Sequence, residues 1–325
     1  MYLLIKIKTF ITTIINNLRM SKLKKINIYD LYLDLVKDSI TGVIDTSIPL
    51  DKQFSLKMDK KLFWRIMTNG TIRTMLNNSK LNNIRYCIQS AIQDGIQGDF
   101  LEAGCWRGGA IIFMKACLSV YENIYHKNEQ RKIIGACRFP EFPPLSNISF
   151  FTRLLIIVVS KLHFLMPLTL KQYVANQILE SFPNEELSED TINKVIQLGK
   201  NISLLKGISL PRTDKKDLIE SLKRFGLYDD KILLNEGWFK DTFPKLRTKK
   251  LAILRIDCDF YDSTLYTLDT FYKRLSVGGY CIIDDYNGFI ECKKAVDEFR
   301  IKNNILDEIV EIDNIGVYWR KLNKI

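Results

Sequence analysis

Apolar residues follow two different rhythms along this chain. In the first 90 or so residues they fall at helical spacing. Leu31, Leu33, Leu35 and Val36 supply an apolar surface, Gly42 and Pro49 break it, and Leu81-Asn-Asn-Ile-Arg-Tyr-Cys-Ile resumes the pattern. From Asp99 onward the rhythm becomes short apolar runs alternating with helical stretches. The runs are Asp99–Ala103, Lys132–Ala136, Lys231–Leu234, Leu251–Ile256 and Tyr280–Asp284. Strands separated by helices pair in parallel, with helices on both faces. Two last runs, Asp307–Ile312 and Gly316–Trp319, are joined by a turn at Asp313 and Asn314, and so short a link predicts an antiparallel hairpin. The expected architecture is α/β, with a Rossmann-like, mostly parallel sheet that ends in this hairpin. Residues 1–90 are expected to form a helical N-terminal cap and residues 91–325 the sheet domain.

The sheet rhythm is interrupted at about residues 138–213. Phe150–Leu170 is strongly apolar but carries Arg153, Lys161, His163 and Pro167. A lysine at the centre of a bilayer costs roughly 2.5 kcal/mol or more, so an inserted helical lid or oligomer surface at about 145–200 is expected in place of a membrane span. The opening MYLLIKIKTFITTIINNL is interrupted by Lys6 and Lys8 and has no small-residue cleavage site, which predicts a packed or interfacial helix in place of a firm membrane anchor.

Composition narrows the chemistry. With 46% hydrophobic and 26% charged residues, the chain has the make-up of a folded protein. The net charge of +11 comes from scattered lysines without any nucleic-acid-binding motif, so no specific nucleic-acid partner is expected. Seven cysteines without a C-x-x-C pair point to a reducing, cytoplasmic setting. The two histidines, His126 and His163, lie far from each other and from paired acids, which argues against a histidine-rich metal site or a Ser-His-Asp hydrolase. Any metal chemistry must rest on carboxylates.

Two motifs supply candidates. The first strand ends in Glu102-Ala-Gly-Cys-Trp-Arg-Gly-Gly109 and enters an apolar helix, where glycines admit a ligand to the backbone and the helix N-terminus favours an anion. The spacing is not G-x-G-x-x-G, which supports a carboxylate site better than a dinucleotide pyrophosphate site. The second motif, Arg255-Ile-Asp-Cys-Asp-Phe-Tyr-Asp-Ser-Thr264, is followed one helix and strand later by Gly278-Gly-Tyr-Cys-Ile-Ile-Asp-Asp-Tyr286. Strand alternation puts Asp257 and Asp259 on one face if the strand runs through both. Asp284 and Asp285 end the next strand, so several acids meet at one sheet edge. Carboxylates so placed repel unless a cation joins them, and hard oxygen ligands suit Mg2+ or Mn2+. Helix capping by Asp262, Ser263 or Asp285 explains one acid per turn but not the doubled ones.

These motifs, in this order, resemble the macrocin O-methyltransferase (TylF/MycF-like) family of metal-dependent sugar methyltransferases. The resemblance extends through Phe225-Gly-Leu-Tyr-Asp-Asp, Gly237-Trp-Phe-Lys-Asp-Thr-Phe-Pro, Val296-Asp-Glu-Phe-Arg300 and Gly316-Val-Tyr-Trp319. It implies a class I methyltransferase sheet and S-adenosylmethionine as cofactor. It also implies a small-molecule or glycan acceptor with a sugar-like hydroxyl. Glu102, Gly104, Trp106 and Gly108 would line the methionine end of the cofactor, and Gly237 and Trp238 would lie near the adenine. Asp257, Asp284 and Asp285 would hold the metal, with Asp259 in reserve and as proton acceptor. A homo-oligomer is expected.

One stretch departs from the family. Where the family has Asp-Ser-Phe-Glu-Gly-Leu-Pro, with an acid for the cofactor ribose, this chain has Cys137-Arg-Phe-Pro-Glu-Phe-Pro143. A thiol cannot accept two strong hydrogen bonds from a diol as a carboxylate does. Glu141 is a possible substitute. The departure keeps a second reading in play, a degenerate member with a binding or assembly role. A nucleotide-sugar oxidoreductase is the third reading, and the acid cluster counts against it, since hydride transfer needs none.

Overall fold

The structure is a computed structural model that describes residues 27–46, 72–127, 129–139 and 214–323. Seven strands form one sheet in the order β3-β2-β1-β4-β5-β7-β6. They are β1 (Asp99–Ala103), β2 (Ile133–Cys137), β3 (Ile232–Glu236), β4 (Leu251–Ile256), β5 (Leu275–Ile283), β6 (Val310–Glu311) and β7 (Val317–Arg320). The first five pair in parallel; β7 runs antiparallel between β5 and β6. The chain order reverses at β1, with β2 on one side and β4 on the other, and ligands of open α/β sheets bind at such a switch point.

Alternation along the strands divides the core between the two faces. Phe100, Ile253, Tyr280 and Ile282 face one apolar cluster, while Leu101, Leu254, Cys281 and Ile283 face the other. The first cluster is covered by α1 (Ile28–Ile40), α2 (Asn78–Gln93), α3 (Gly109–Ile124) and α4 (Lys215–Arg224). The second is covered by α5 (Tyr261–Phe271) and α6 (Ile290–Lys302). Helix α3 is apolar nearly all round and is buried along most of its length, as its sequence requires.

Helices α1 and α2 share their core with α3 and the sheet. The stripe that α1 buries is Leu33, Val36 and Ile40, whereas Leu31 and Leu35 are exposed. Four leucine and valine positions crowded into six residues overstate the face, because one helix side can take only those at spacings of three and four. Asn77 caps α2, its Oδ1 accepting from the Lys80 amide at 2.9 Å, and its Nδ2 donates to Asp313 at 2.6 Å. The start of α2 is thereby tied to the loop between β6 and β7.

Strand β5 begins five residues before the expected Tyr280. Gly278 and Gly279, which precede the expected strand, lie inside the observed one, at a break in register opposite β4. Gly278 has φ +88°, and a Cβ on Gly279 would come within 2.8 Å of the Ala252 carbonyl, so this is a glycine bulge. The proposed lid at about 145–200, the N-terminal apolar stretch and Glu141 lie outside the described residues. Among the described residues no helix is long and apolar enough to cross a membrane.

Candidate active site

The register of three neighbouring strands builds the site. Glu102 on β1 stands opposite Arg255 on β4, and Arg255 stands opposite Ile282 on β5. Pairing continues beyond the strand ends: the Asp257 amide donates to the Ala103 carbonyl at 2.8 Å and the Asp284 amide to the Ile256 carbonyl at 2.9 Å. Glu102, Arg255 and Asp284 therefore share one sheet face at its carboxyl edge. The Arg255 guanidinium, 1% exposed, uses Nη1 for both Glu102 Oε1 and Asp257 Oδ2, the latter at 2.9 Å, and Nη2 for Asp284 Oδ1. A planar fork of donors suits this shared task in a way a single ammonium does not.

A second cation reaches the edge from α2. Lys80 Nζ donates to Asp284 Oδ2 at 2.6 Å and to the Asp284 carbonyl at 3.0 Å. Arg255 and Lys80 overcome the effect of burial and hold the Asp284 carboxyl below the usual carboxylate range. The other acids are less well compensated. Burial, with the charge of Asp284 beside it, pushes Asp257 up to about 6, against the pull of Arg255. Burial also raises Asp259, and burial together with the surrounding carboxylates raises Asp285 strongly. Glu102 is pushed up to about 8 by burial, which outweighs its bond to Arg255.

One carboxylate oxygen from each of Asp257, Asp259 and Asp285 lies within 4.8 Å of the others. Asp284 is outside this trio, because both its oxygens point to Arg255 and Lys80. Asp257 and Asp259 do not meet by strand alternation: β4 ends at Ile256, and Asp259 takes a left-handed conformation with φ +62°. Asp tolerates that conformation better than most side chains. Asp285 caps no helix side chain to backbone; its carbonyl accepts from Gly288 and Phe289 in a turn before α6.

Beside the acids, a cavity of about 910 Å3 is lined by the cofactor and metal candidates among the described residues, with the exception of Gly108. Gly108 is the N-cap of α3 at φ +78° and faces Leu218; Gly109 and Ala110 line the cavity in its place. Gly104, at φ +92°, is required by packing, since a Cβ there would lie 1.7 Å from the Asp257 carbonyl. Trp106 holds φ +42° in the same turn. At the far side of the turn, Cys137 ends β2 and its carbonyl accepts from the Gly237 amide at 3.1 Å. The Arg138 guanidinium lies 4.1 Å above the Trp238 ring.

The residues present suit both groups that the sequence implies. Glu102 Oε2 is buried and has no hydrogen-bond partner among the described residues, an orphaned acceptor on a residue of the cavity lining that a cofactor ammonium would satisfy. The oxygen trio suits a hard divalent cation. Sequence reasoning assigned no role to Lys80 or to Arg255. Their signals were present: Lys80 sits in the stripe with Ile84, Cys87 and Ala91 that α2 buries, and Arg255 lies inside a buried strand. Charged residues at such positions need partners.

Comparison with known proteins follows the same two halves of the site. The profile described as Macrocin-O-methyltransferase (TylF) matches residues 64–145 and 179–321. Mycinamicin III 3''-O-methyltransferase of Micromonospora griseorubida is 33% identical over 249 residues, covering 76% of this chain and 78% of that protein. The 8-demethyl-8-(2,3-dimethoxy-alpha-L-rhamnosyl)-tetracenomycin-C 4'-O-methyltransferase of Streptomyces olivaceus is 30% identical over 294 residues, covering 90% and 92%. Among solved structures, the O-methyltransferase NovP superposes with a TM-score of 0.62 at 27% identity, over 91% of this chain and 100% of that one. The sheet is thus the class I methyltransferase arrangement, and the matched segments carry both the glycine turn after β1 and the acids after β4 and β5. The chain belongs to the macrocin-O-methyltransferase (TylF) family of O-methyltransferases.

Proposed function

We propose that this protein transfers the methyl group of S-adenosylmethionine to a hydroxyl of a sugar-like acceptor, assisted by Mg2+ or Mn2+. The observation that carries this reading is the Arg255 network, which joins the glycine turn at Glu102 to the acidic edge at Asp257 and Asp284 within one cavity. Two curated relatives are named for methylating the 3'' position of mycinamicin III and the 4' position of a rhamnosyl tetracenomycin, which supports a sugar on a larger natural product or glycan as acceptor.

In this reading Glu102 receives the cofactor's ammonium, with Gly104 and Trp106 shaping the turn beside it. Gly237 and Trp238 bound the adenine end. Asp257 and Asp285 anchor the cation; they belong both to the set inferred from sequence and to the trio gathered in the structure. Asp284, kept ionised by Lys80 and Arg255, serves as third ligand. When bound, the cation supplies Lewis acidity that eases ionisation of the acceptor hydroxyl. Asp259, a carboxylate that lines the cavity beside Asp257 and Asp285, is the proton acceptor, placed next to the hydroxyl that the cation would hold. The cavity holds acceptor and cofactor together, which converts the transfer into an effectively intramolecular step. All seven cysteines are free thiols, in keeping with a cytoplasmic enzyme.

Methyl transfer measured with and without EDTA tests the cation, and equal rates would defeat it. Asp284→Asn should cost cation affinity, whereas Asp259→Asn should cost rate with cation affinity kept. The reverse result would make Asp257, Asp259 and Asp285 the ligand set. The degenerate reading rests on Cys137 at the end of β2, beside an Arg138 stacked on Trp238. Calorimetry that detects neither S-adenosylmethionine nor S-adenosylhomocysteine binding would favour it.

A further inference from the structure

The net charge of +11 has no use in a cavity whose acids outnumber its bases. Part of the excess gathers at the opposite edge of the sheet, where the five parallel strands begin. Arg247, Lys249 and Lys250 lead into β4 there, and Lys273 leads into β5. All four are exposed, and they form no ion pair among the described residues. Arg274 draws the two groups together, its Nη1 donating to the Thr248 carbonyl at 3.3 Å.

Apolar side chains project from the same edge. Strand β7 runs antiparallel and so ends there, just before Leu322, and α6 returns there at Ile301. Ile301 is 77% exposed, Leu322 60%, and Leu306, between α6 and β6, 92%. Asp307 gathers them: its carbonyl accepts from Arg300, its Oδ1 from the Leu322 amide at 3.2 Å, and its Oδ2 from the Tyr272 hydroxyl at 3.4 Å. Tyr272 is the chain neighbour of Lys273, and Ile301 that of Lys302, so the apolar and basic groups form one surface. Its acids offset little of the charge. Glu308 is exposed, Asp94 is paired with Arg320, and Asp269 lies 3.9 Å from Lys302.

Exposed aliphatic residues are ordinary when scattered, but a group of them on one surface marks an interaction site. We infer that this edge docks the protein reversibly on an anionic lipid surface. Leu306, Ile301 and Leu322 enter the boundary between headgroups and acyl chains, and the basic residues lie against the lipid phosphates. Tips that protrude this far suit a deformable bilayer better than the shaped face of a second protein. Among the described residues no helix is long and apolar enough to cross a membrane, so the contact lies on the surface. The catalytic edge faces away from the lipid, because it is the other end of the same strands.

Co-sedimentation of the full-length chain with vesicles tests this. Vesicles of phosphatidylglycerol and phosphatidylcholine in equal parts should carry the protein down, those of phosphatidylcholine alone should not, and added salt should release it. A lysine near such a surface is worth about fivefold in binding, so Lys249→Glu, Lys250→Glu and Lys273→Glu together should weaken it at least a hundredfold or so, on the order expected for three lysines. Ile301→Ser with Leu306→Ser should weaken it about tenfold or more. Both variants should melt at the wild-type temperature, since only exposed side chains change. Absence of wild-type binding, equal binding to phosphatidylcholine alone, or wild-type binding by either variant overturns the inference. So does self-association that the serine variant abolishes while wild type ignores vesicles, which would make this surface an interface between two copies of the chain.

Discussion

Removing Arg255 would leave Glu102, Asp257 and Asp284 in a buried site without their shared cation. Breaking a buried ion pair from one side costs about 3–5 kcal/mol, so Arg255→Leu should lower stability by at least that much in urea denaturation. Glu102 gives a prediction with a pH signature. Its carboxyl stands near 8 in the fold against an ordinary 4.5, so the folded state holds a proton that the unfolded chain has released. That contribution is present at low pH and is lost as pH rises from about 4.5 through about 8. Glu102→Gln, which cannot titrate, should therefore gain stability relative to wild type across that window, and parallel pH profiles would refute the assignment. At the end of β2, Cys137→Asp should tighten S-adenosylmethionine binding by about one decade, the worth of a charge-assisted hydrogen bond, read by calorimetry. None of these three residues was legible in the same way. Glu102 stands beside a recognisable turn and Cys137 departs from a familiar pattern, whereas Arg255 acquires its role only from the strands on either side.

Among the elements, α1 and the turn after β1 make contrasting demands. Leu33 lies in the buried stripe of α1 and Leu35, two positions on, is 47% exposed. Leu33→Ala should cost about 2–5 kcal/mol, a core truncation with its cavity, while Leu35→Ala should stay within about 0.5 kcal/mol. Comparable losses from both in chemical denaturation would show that Leu35 is covered. In the turn, Gly104 combines φ +92° with a Cβ position 1.7 Å from the Asp257 carbonyl. Gly104→Ala must push β1 and β4 apart at the carboxyl edge, so it should reduce both cofactor and cation binding in calorimetry. The helical spacing near residue 30 announced the element but not its buried face, since leucines stood on more than one side. Glycines at 104 and 108 likewise announced a turn; which of them face a ligand depended on what packs behind each.

For the molecule as a whole, the acid edge sets a charge balance. Glu102, Asp257, Asp259, Asp284 and Asp285 converge on one cavity with Arg255 and Lys80 among them. Acids outnumber these bases, and the carboxyls of Asp257, Asp259 and Asp285 are raised, by burial first and by the neighbouring Asp284 charge after it. A divalent cation that binds the fold but not the unfolded chain stabilises it, by about 2.7 kcal/mol at a hundredfold excess over Kd. Mg2+ should accordingly raise the melting temperature in a saturable, EDTA-reversible way. Asp285→Asn should abolish the shift, and a shift that survives this change would place the cation elsewhere.

The sequence by itself determined the architecture and the region of the chemistry. Apolar runs alternating with helices dictate a parallel sheet, the closely spaced last runs dictate an antiparallel end, and acids placed just after two strands must appear at the carboxyl edge, because strand direction settles which end they occupy. Only the tertiary structure decided which acids face one another. That depends on the register between β1, β4 and β5, on the left-handed turn at Asp259, and on Lys80 arriving from a helix 204 residues away from Asp284 in the chain. Periodicity is a property of one segment and can be read along it; ion pairing across strands is a property of several segments at once, fixed when their backbones hydrogen-bond and their buried charges find partners.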